Sequence, residues 1–317
     1  MASGRERVLR RRIRSIEATK KITRAMELIA ASQIVRAQGR IAQNRPYISG
    51  LRDAFSITID DATEPTRLVG DPEEMRRVVV LLIVSDRGLC GAYNSNVLRA
   101  SERRIHEIER SSGEATLVAV GRRAESYFRF RGRPLAKAFQ KVSERPSFED
   151  ARRITTEAIN PFLSGNADAV EVVSTRFRSA GVQVVENRRL LPVPKPKEAE
   201  EESTSSGTLG GFYDFEPRSD DLLSSLVPQL VEAEIFAALL EAAASEHTAR
   251  QRAMAAATEN AEDLAKTLRR EMNRVRQDAI TTEIMEIVGG AEALRAAAAT
   301  QGRYDLTLGI EHEESYE

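Results

Sequence analysis

Apolar residues recur at three- and four-residue steps over a long stretch near each end of the chain, and between these stretches the pattern changes to short continuous or alternating runs. The first stretch predicts a helix from about Arg5 to Asp60. Its apolar positions are Leu9, Ile13 and Ile16, then Ile22, Met26 and Ile29, then Ala30, Ile34, Ala37, Ile41, Ile48, Leu51 and Phe55. The steps slip in phase, so the seam should drift around the helix, and Pro46 should kink it near Asn44 to Arg45, with continuation open to a long paired helix. The second stretch predicts a helix from about Asp220 to Ala299. It shows Leu223, Leu226, Leu230, Ala233, Ala237, Leu240 and Ala244, then Met254, Ala261, Leu264, Leu268, Met272, Val275 and Ala279, and finally Ile280, Ile284, Ile287, Ala291 and Leu294. Many of these are alanine, which permits close helix approach. Pro228 should split off a short first turn, and Gly289-Gly290 should weaken the far end. At about 1.5 Å per residue such helices extend roughly 80 and 110 Å, and neither buries its stripe alone. The two are expected to wrap around each other.

The intervening residues predict a strand over Arg77 to Ser85, a helix over Asn94 to Arg110, a strand over Ala115 to Val120 and a short helix over Arg122 to Arg131. Another helix is expected over Phe148 to Leu163. Two strands, Ala169 to Arg178 and Gln183 to Leu191, flank the hairpin signal Ser179-Ala180-Gly181, and Phe212 to Phe215 adds a strand fragment. This alternation argues for a small, partly parallel sheet flanked by helices. Pro192 to Gly211, with an acidic cluster at Glu198 to Glu202, reads as a solvated loop. The organisation is therefore a helix over 1–60, an α/β domain over 70–215, a second long helix over 220–299 and a tail over 300–317.

Composition narrows the function classes. The 317 residues are 41% hydrophobic, enough to bury a proper core, and 30% are charged with a formal net charge of −1. Any attraction for nucleic acid or anionic lipid must therefore be local. The single cysteine, Cys90, excludes internal disulfides and Cys-rich metal sites, and the three histidines are far apart in sequence. The longest uninterrupted apolar run, Val78 to Val84, is strand length, so direct bilayer insertion is not expected. The arginine-rich start (Arg5, Arg7, Arg10, Arg11, Arg12, Arg14) lacks the apolar core of a secretory signal, carries acids that transit peptides avoid, and reads as mature protein.

Three motifs carry chemistry worth weighing. Ser85 to Asn94 (SDRGLCGAYN) follows a buried strand and opens a helix, where α/β proteins often place ligands. Its glycines do not form the dinucleotide fingerprint and no Gly-Lys-Ser/Thr follows, so a tight turn or a partner-contact loop accounts for it better. Cys90 has no neighbouring base in sequence and reads as a quiet, partly buried thiol. The basic N-terminal turns lack the interleaved aromatics of a nucleic-acid surface and fit the charged outer face of a packed helix. Asn273 to Glu283 places polar groups all around a helix. Enclosed by a partner, Arg276 and its neighbours would form charge-assisted contacts with carboxylates.

Lys20 to Ser32 (KKITRAMELIAAS), Ser85 to Asn94, and Ser245 to Asn260 with Asn273 to Gly290 together resemble the gamma subunit of F-type ATP synthases, in that family's order and over both ends of the chain. The resemblance implies an antiparallel coiled coil from the two chain ends with a Rossmann-like α/β domain inserted between them. It implies a non-catalytic rotor shaft without cofactor or metal, turning inside the alternating alpha and beta subunits of the catalytic ring. Its foot would bind the epsilon subunit and the membrane-embedded c-ring, coupling proton flow to ATP synthesis at the cytoplasmic face of the cell membrane as a peripheral protein. Nucleotide chemistry would belong to the ring. Carried over by position, Met26 would meet a lever loop of beta, Arg250, Arg276, Gln277, Thr281 and Glu283 would make ring contacts, and the Asp86 to Gly91 turn, with Arg87 and Cys90, would face the underside of the ring. Two features depart from the family: Gln33 stands where many relatives carry lysine, and the tail past Leu294 is longer, either helical or disordered. No nucleic-acid partner is implied, and without paired cysteines the thiol switch of chloroplast relatives is not supported.

Overall fold

The computed structural model describes residues 2–61, 67–71, 75–194 and 218–308. The expected strand fragment at Phe212 to Phe215, the loop from 195 onward and the acidic end of the tail lie outside the described residues. Two helices bracket the chain, α1 over Ala2–Asp61 and α5 over Ser219–Leu308. Between them run β1 (Arg77–Ile83), α2 (Tyr93–Arg110), β2 (Glu114–Val120), α3 (Arg122–Phe130), β3 (Lys137–Phe139), α4 (Phe148–Leu163), β4 (Ala169–Phe177) and β5 (Gln183–Leu191). The chain divides into two compact units, residues 1–23 with 256–317, and residues 24–255.

Within residues 24–255 the strands form one five-stranded sheet in the order β3-β2-β1-β4-β5, parallel except for the antiparallel β4–β5 hairpin. β1 is a nearly continuous apolar run and β4 is buried over most of its length, because helices cover both faces of the sheet. On one face α2 and α3 close over Val78, Val80, Leu82 and Val84 through Val97, Ile105, Ala124 and Phe128. On the other, Val79, Leu81 and Ile83 meet α4, Phe55 of α1, and Leu223, Val227, Ile235 and Leu239 of α5. α4 starts at a capping box, in which Ser147 and Asp150 bond each other's backbone N–H groups. β3, only three residues at the sheet's edge, left no periodicity to read.

The short first turn expected to split off at Pro228 is absent, and the helix continues through Pro46, as is open to a long paired helix. Pro46 lies inside α1 and Pro228 inside α5. Each removes one donor to the carbonyl four residues earlier, on Ala42 and Ser224, and both of those residues are exposed, where water can satisfy a freed carbonyl. Pro228 is also held from both sides by Val227 and Leu230 in the core. The alanine-rich composition of α5 has a second consequence: by length and hydropathy alone it contains a stretch able to cross a membrane, with a mean hydropathy of 1.5 over 18 residues. The apolar side of α5 over 223–242 is committed to the sheet instead.

In the other unit, α1 and α5 pair antiparallel. Leu9, Ile13 and Leu268 form the buried seam, extended by Ile16, Met272 and Val275. Arg5 pairs with Glu271 at 3.1 Å, Lys20 with Glu262 at 3.0 Å, and Arg269 with Glu17. The seam differs from the expected one. Ile22, Ile29 and Leu264 are exposed, and Thr23 and Ala265 turn inward instead. Ile16, Thr23, Ala30 and Ala37 follow a strict seven-residue step, which reading only apolar residues misses because Thr23 is polar. Its hydroxyl is satisfied there, donating to the Lys20 carbonyl at 3.0 Å and accepting from Thr258 at 2.8 Å. Ile280, Ile284, Ile287, Ala291 and Leu294, also expected on the seam, are exposed.

Candidate functional site

The connection from β1 to α2 is built by its own side chains. The Ser85 N–H donates to Asn94 Oδ1 at 2.9 Å, and Asn94 Nδ2 donates to Cys90 Sγ at 3.2 Å. Asp86 ties this turn to two other loops: its carboxylate accepts from the N–H of Arg122 at 3.0 Å and of Ser143 at 3.2 Å, while its own N–H donates to Ser143 Oγ at 2.9 Å. Arg87 reaches Glu144 at 3.2 Å. The ends of β1 and β2 approach so closely that a Cβ on Gly121, at φ 99°, would stand 2.2 Å from the Val84 carbonyl oxygen. Only glycine fits there.

Helix α5 crosses this end of the sheet. Glu241 Oε2 accepts from the Phe177 N–H at the end of β4, and His247 Nε2 lies 3.2 Å from the Glu144 carbonyl. Glu246 and Arg250 form an ion pair of 2.7 Å whose side chains are 0% and 8% exposed. The same Arg250 Nη2 donates to the Gly88 carbonyl at 3.4 Å. Burial pushes the Glu246 carboxyl up from the usual range, opposed by the Arg250 charge. Burial likewise raises Tyr93, with the Glu246 charge adding to it, and raises the Cys90 thiol, while it lowers His247. Cys90 is a buried thiol whose burial disfavours the thiolate.

The crevice beyond the carboxyl ends of β1 and β4 is the switch point of this sheet, where open α/β folds bind ligands. Beside the turn that follows β1, the chain's own Glu246, Arg250 and Tyr93 are buried. Among the described residues no group of three or more His, Cys, Asp or Glu side chains could hold a metal ion.

Of the residues singled out from sequence, Asp86, Arg87, Cys90 and Arg250 come together at this junction. Met26 is half-buried on α1. Arg276, Gln277, Thr281 and Glu283 lie on one exposed stretch of α5, where the Thr281 hydroxyl donates to the Gln277 carbonyl of its own helix. Sequence reasoning missed Glu246, Tyr93 and Ser143 as members of the junction. Glu246 did leave a signal, an acid four residues before an arginine in a run of alanines, which is the favourable order for a pair on one helix face.

Residues 5–294 match the family described as ATP synthase. The ATP synthase gamma chain of Parafrankia sp. (strain EAN1pec) is 45% identical over 300 residues, covering 93% of this chain and 100% of that one. The gamma chain of Streptomyces avermitilis is 42% identical, covering 94% and 98%. Among solved structures, a chain of the Euglena gracilis mitochondrial ATP synthase (OSCP/F1/c-ring, rotational state 3) is similar with a TM-score of 0.65 and 19% identity, covering 93% of this chain and 96% of that one. A chain from the central stalk and c-ring of the Tetrahymena thermophila mitochondrial enzyme is similar with a TM-score of 0.55 and 22% identity, covering 74% and 99%. At those identities the structural likeness speaks to fold, while the curated relatives match at high identity from end to end: this chain belongs to the ATP synthase gamma-chain family.

Proposed function

We propose that this chain is the central-stalk rotor of an F-type ATP synthase, non-catalytic itself, turning inside a ring of alpha and beta subunits and carrying torque between that ring and a membrane-embedded c-ring, with an epsilon subunit at its foot. The observation that carries this reading is the end-to-end match to gamma chains. Physical features agree with it. A shaft whose neighbours change as it turns needs stiffness without deep interlocking to any one partner, and paired helices with an exposed polar stretch at Arg276 to Glu283 suit that need. Nucleotide chemistry is proposed to belong to the ring. The proposed location is the cytoplasmic face of the cell membrane, as a peripheral component of the complex. The proposed organisation is a pair of terminal helices with an inserted α/β domain over 70–215.

Met26, the Asp86–Cys90 turn, Arg250, Arg276, Gln277, Thr281 and Glu283 are the proposed ring contacts. The test is co-purification with tagged chain, followed by assay of the complex. Recovery of alpha and beta subunits, and loss of coupled ATP synthesis when the chain is depleted, are expected; intact synthesis without it would overturn the reading. Replacing Arg276 and Gln277 together by alanine should lower coupled ATP turnover and leave the chain folded, because both side chains are exposed. Unchanged turnover would remove these two from the contact set.

A further inference from the structure

Building on the rotor reading, we propose that Glu246 is a positioning residue for coupling: its buried carboxylate aims Arg250 at the Gly88 carbonyl and so fastens the Ser85–Asn94 turn to α5 as one rigid part. Arg250 Nη2 serves both partners, at 2.7 Å from Glu246 Oε1 and 3.4 Å from the Gly88 oxygen. A buried ion pair is a poor source of stability, since desolvation consumes most of its attraction and apolar side chains of the same volume often do as well. What the pair supplies is direction. A guanidinium held by a carboxylate has its remaining N–H groups fixed in space, which neither lysine nor an apolar side chain reproduces.

The group that receives this direction is the turn's tip. Leu89 follows Gly88 and stands at φ 63°, a conformation costly for a branched side chain, with 62% of its surface exposed. Such a conformation persists only where the surroundings impose it. On one side Arg250 holds the Gly88 carbonyl; on the other Cys90 is buried and bonded by Asn94. The turn is also tied sideways by Asp86 to Ser143 and by Arg87 to Glu144. Arg250 is thus committed to the turn, and Leu89, with Arg87 beside it, is what the turn exposes to a partner. Glu246 acts through Arg250 on the placement of Leu89.

The experiment is Glu246→Gln in the assembled, membrane-bound complex, reading protons pumped per ATP hydrolysed. The expected result is a severalfold lower ratio with subunit composition and hydrolysis rate retained, and substantial recovery with Glu246→Asp. In the purified full-length chain, amide hydrogen exchange at Leu89 and Cys90 should quicken about tenfold, the equivalent of one lost charge-assisted hydrogen bond. An unchanged pumping ratio, or a ratio that falls only in step with lost assembly in both variants, overturns the proposal. Should Glu246→Gln fail to fold, Arg250→Lys decides the question, since it keeps the charge while losing the two-sided reach. The Arg276→Ala/Gln277→Ala variant separates the two levels of inference. If chain depletion and that variant both leave coupling intact, the rotor reading fails; if they lower coupling and Glu246→Gln does not, only the positioning role fails.

Discussion

Helices α1 and α5 are held in one way among residues 24–255 and in another among residues 1–23 and 256–317. In the first unit they lay Phe55, Leu223, Val227, Ile235 and Leu239 against a sheet face, joined by Phe162 and Ile154 from α4. In the second the buried seam is Leu9, Ile13 and Leu268, framed by exposed ion pairs. Apolar burial stabilises in proportion to area, so stability must be concentrated in the α/β unit. Exposed ion pairs add little and weaken with salt. The paired-helix unit is therefore expected to open locally at lower cost than the sheet.

The largest expected effect comes from the sheet unit. Phe162→Ala empties a fully buried site on α4 that also underlies Arg67, whose guanidinium stands 4.8 Å from the ring centroid. A loss of about 3–5 kcal/mol in denaturant unfolding is expected, in the range for a buried aromatic. A loss near that of a surface substitution would show that the sheet unit is not the stable part. Next comes Leu268→Ala in the seam. Two helices can close around the smaller side chain, so about 1–2 kcal/mol is expected, at or below the low end for buried leucine. Hydrogen exchange should quicken for residues 9–16 and 262–272 and stay unchanged in β1 and β4. Equal quickening everywhere would mean that the two units unfold together.

Charge gives a smaller contrast. The hydrogen bond from Arg77 holds the Asp168 carboxyl below its usual range. A carboxylate lowered by folding contributes stability that is present above its unfolded pKa and lost as pH falls through the folded one. Arg77→Gln should therefore move acid unfolding to higher pH, read as a shifted midpoint in an acid titration; an unmoved midpoint would remove this pair from the balance. Glu246 works in the opposite sense. Its carboxyl is raised by burial, so its contribution is present below the unfolded pKa and lost as pH rises through the folded value.

Which elements could be read in advance follows the same physics. α4 runs over the residues that periodicity gives, Phe148–Leu163, because its buried face demands a clean period, and β5 runs over Gln183–Leu191 beside the hairpin signal. The long helices were legible, but the unbroken run of α5 through Pro228 was not. A proline costs little when the orphaned carbonyl faces water, and the side from which Ala42 and Ser224 would be viewed cannot be seen in one dimension. At the junction, Asp86, Arg87 and Cys90 are adjacent in sequence, and their motif led to them. Tyr93 lies in the same motif but nothing in it marked the ring as buried; Ser143 joins only through the fold, and Glu246 only once α5 crosses the sheet's carboxyl edge.

The smallest expected effect on the chain alone bears most directly on its assembly. Ile284 is 55% exposed on α5, and Ile280, Ile287 and Leu294 repeat with it at helical spacing along an exposed stripe. If that stripe contributes nothing to the folded chain, Ile284→Ser should change stability by less than about 0.5 kcal/mol, the usual range for a surface site. A soluble monomer gains nothing by exposing such a row, whereas a helix enclosed by a ring would bury it. The same substitution should therefore weaken recovery of alpha and beta subunits on tagged chain, measured at matched expression and folding. Undiminished recovery would show that the ring does not read this face, and would leave the polar stretch from Arg276 to Glu283 as the part of α5 that partners engage.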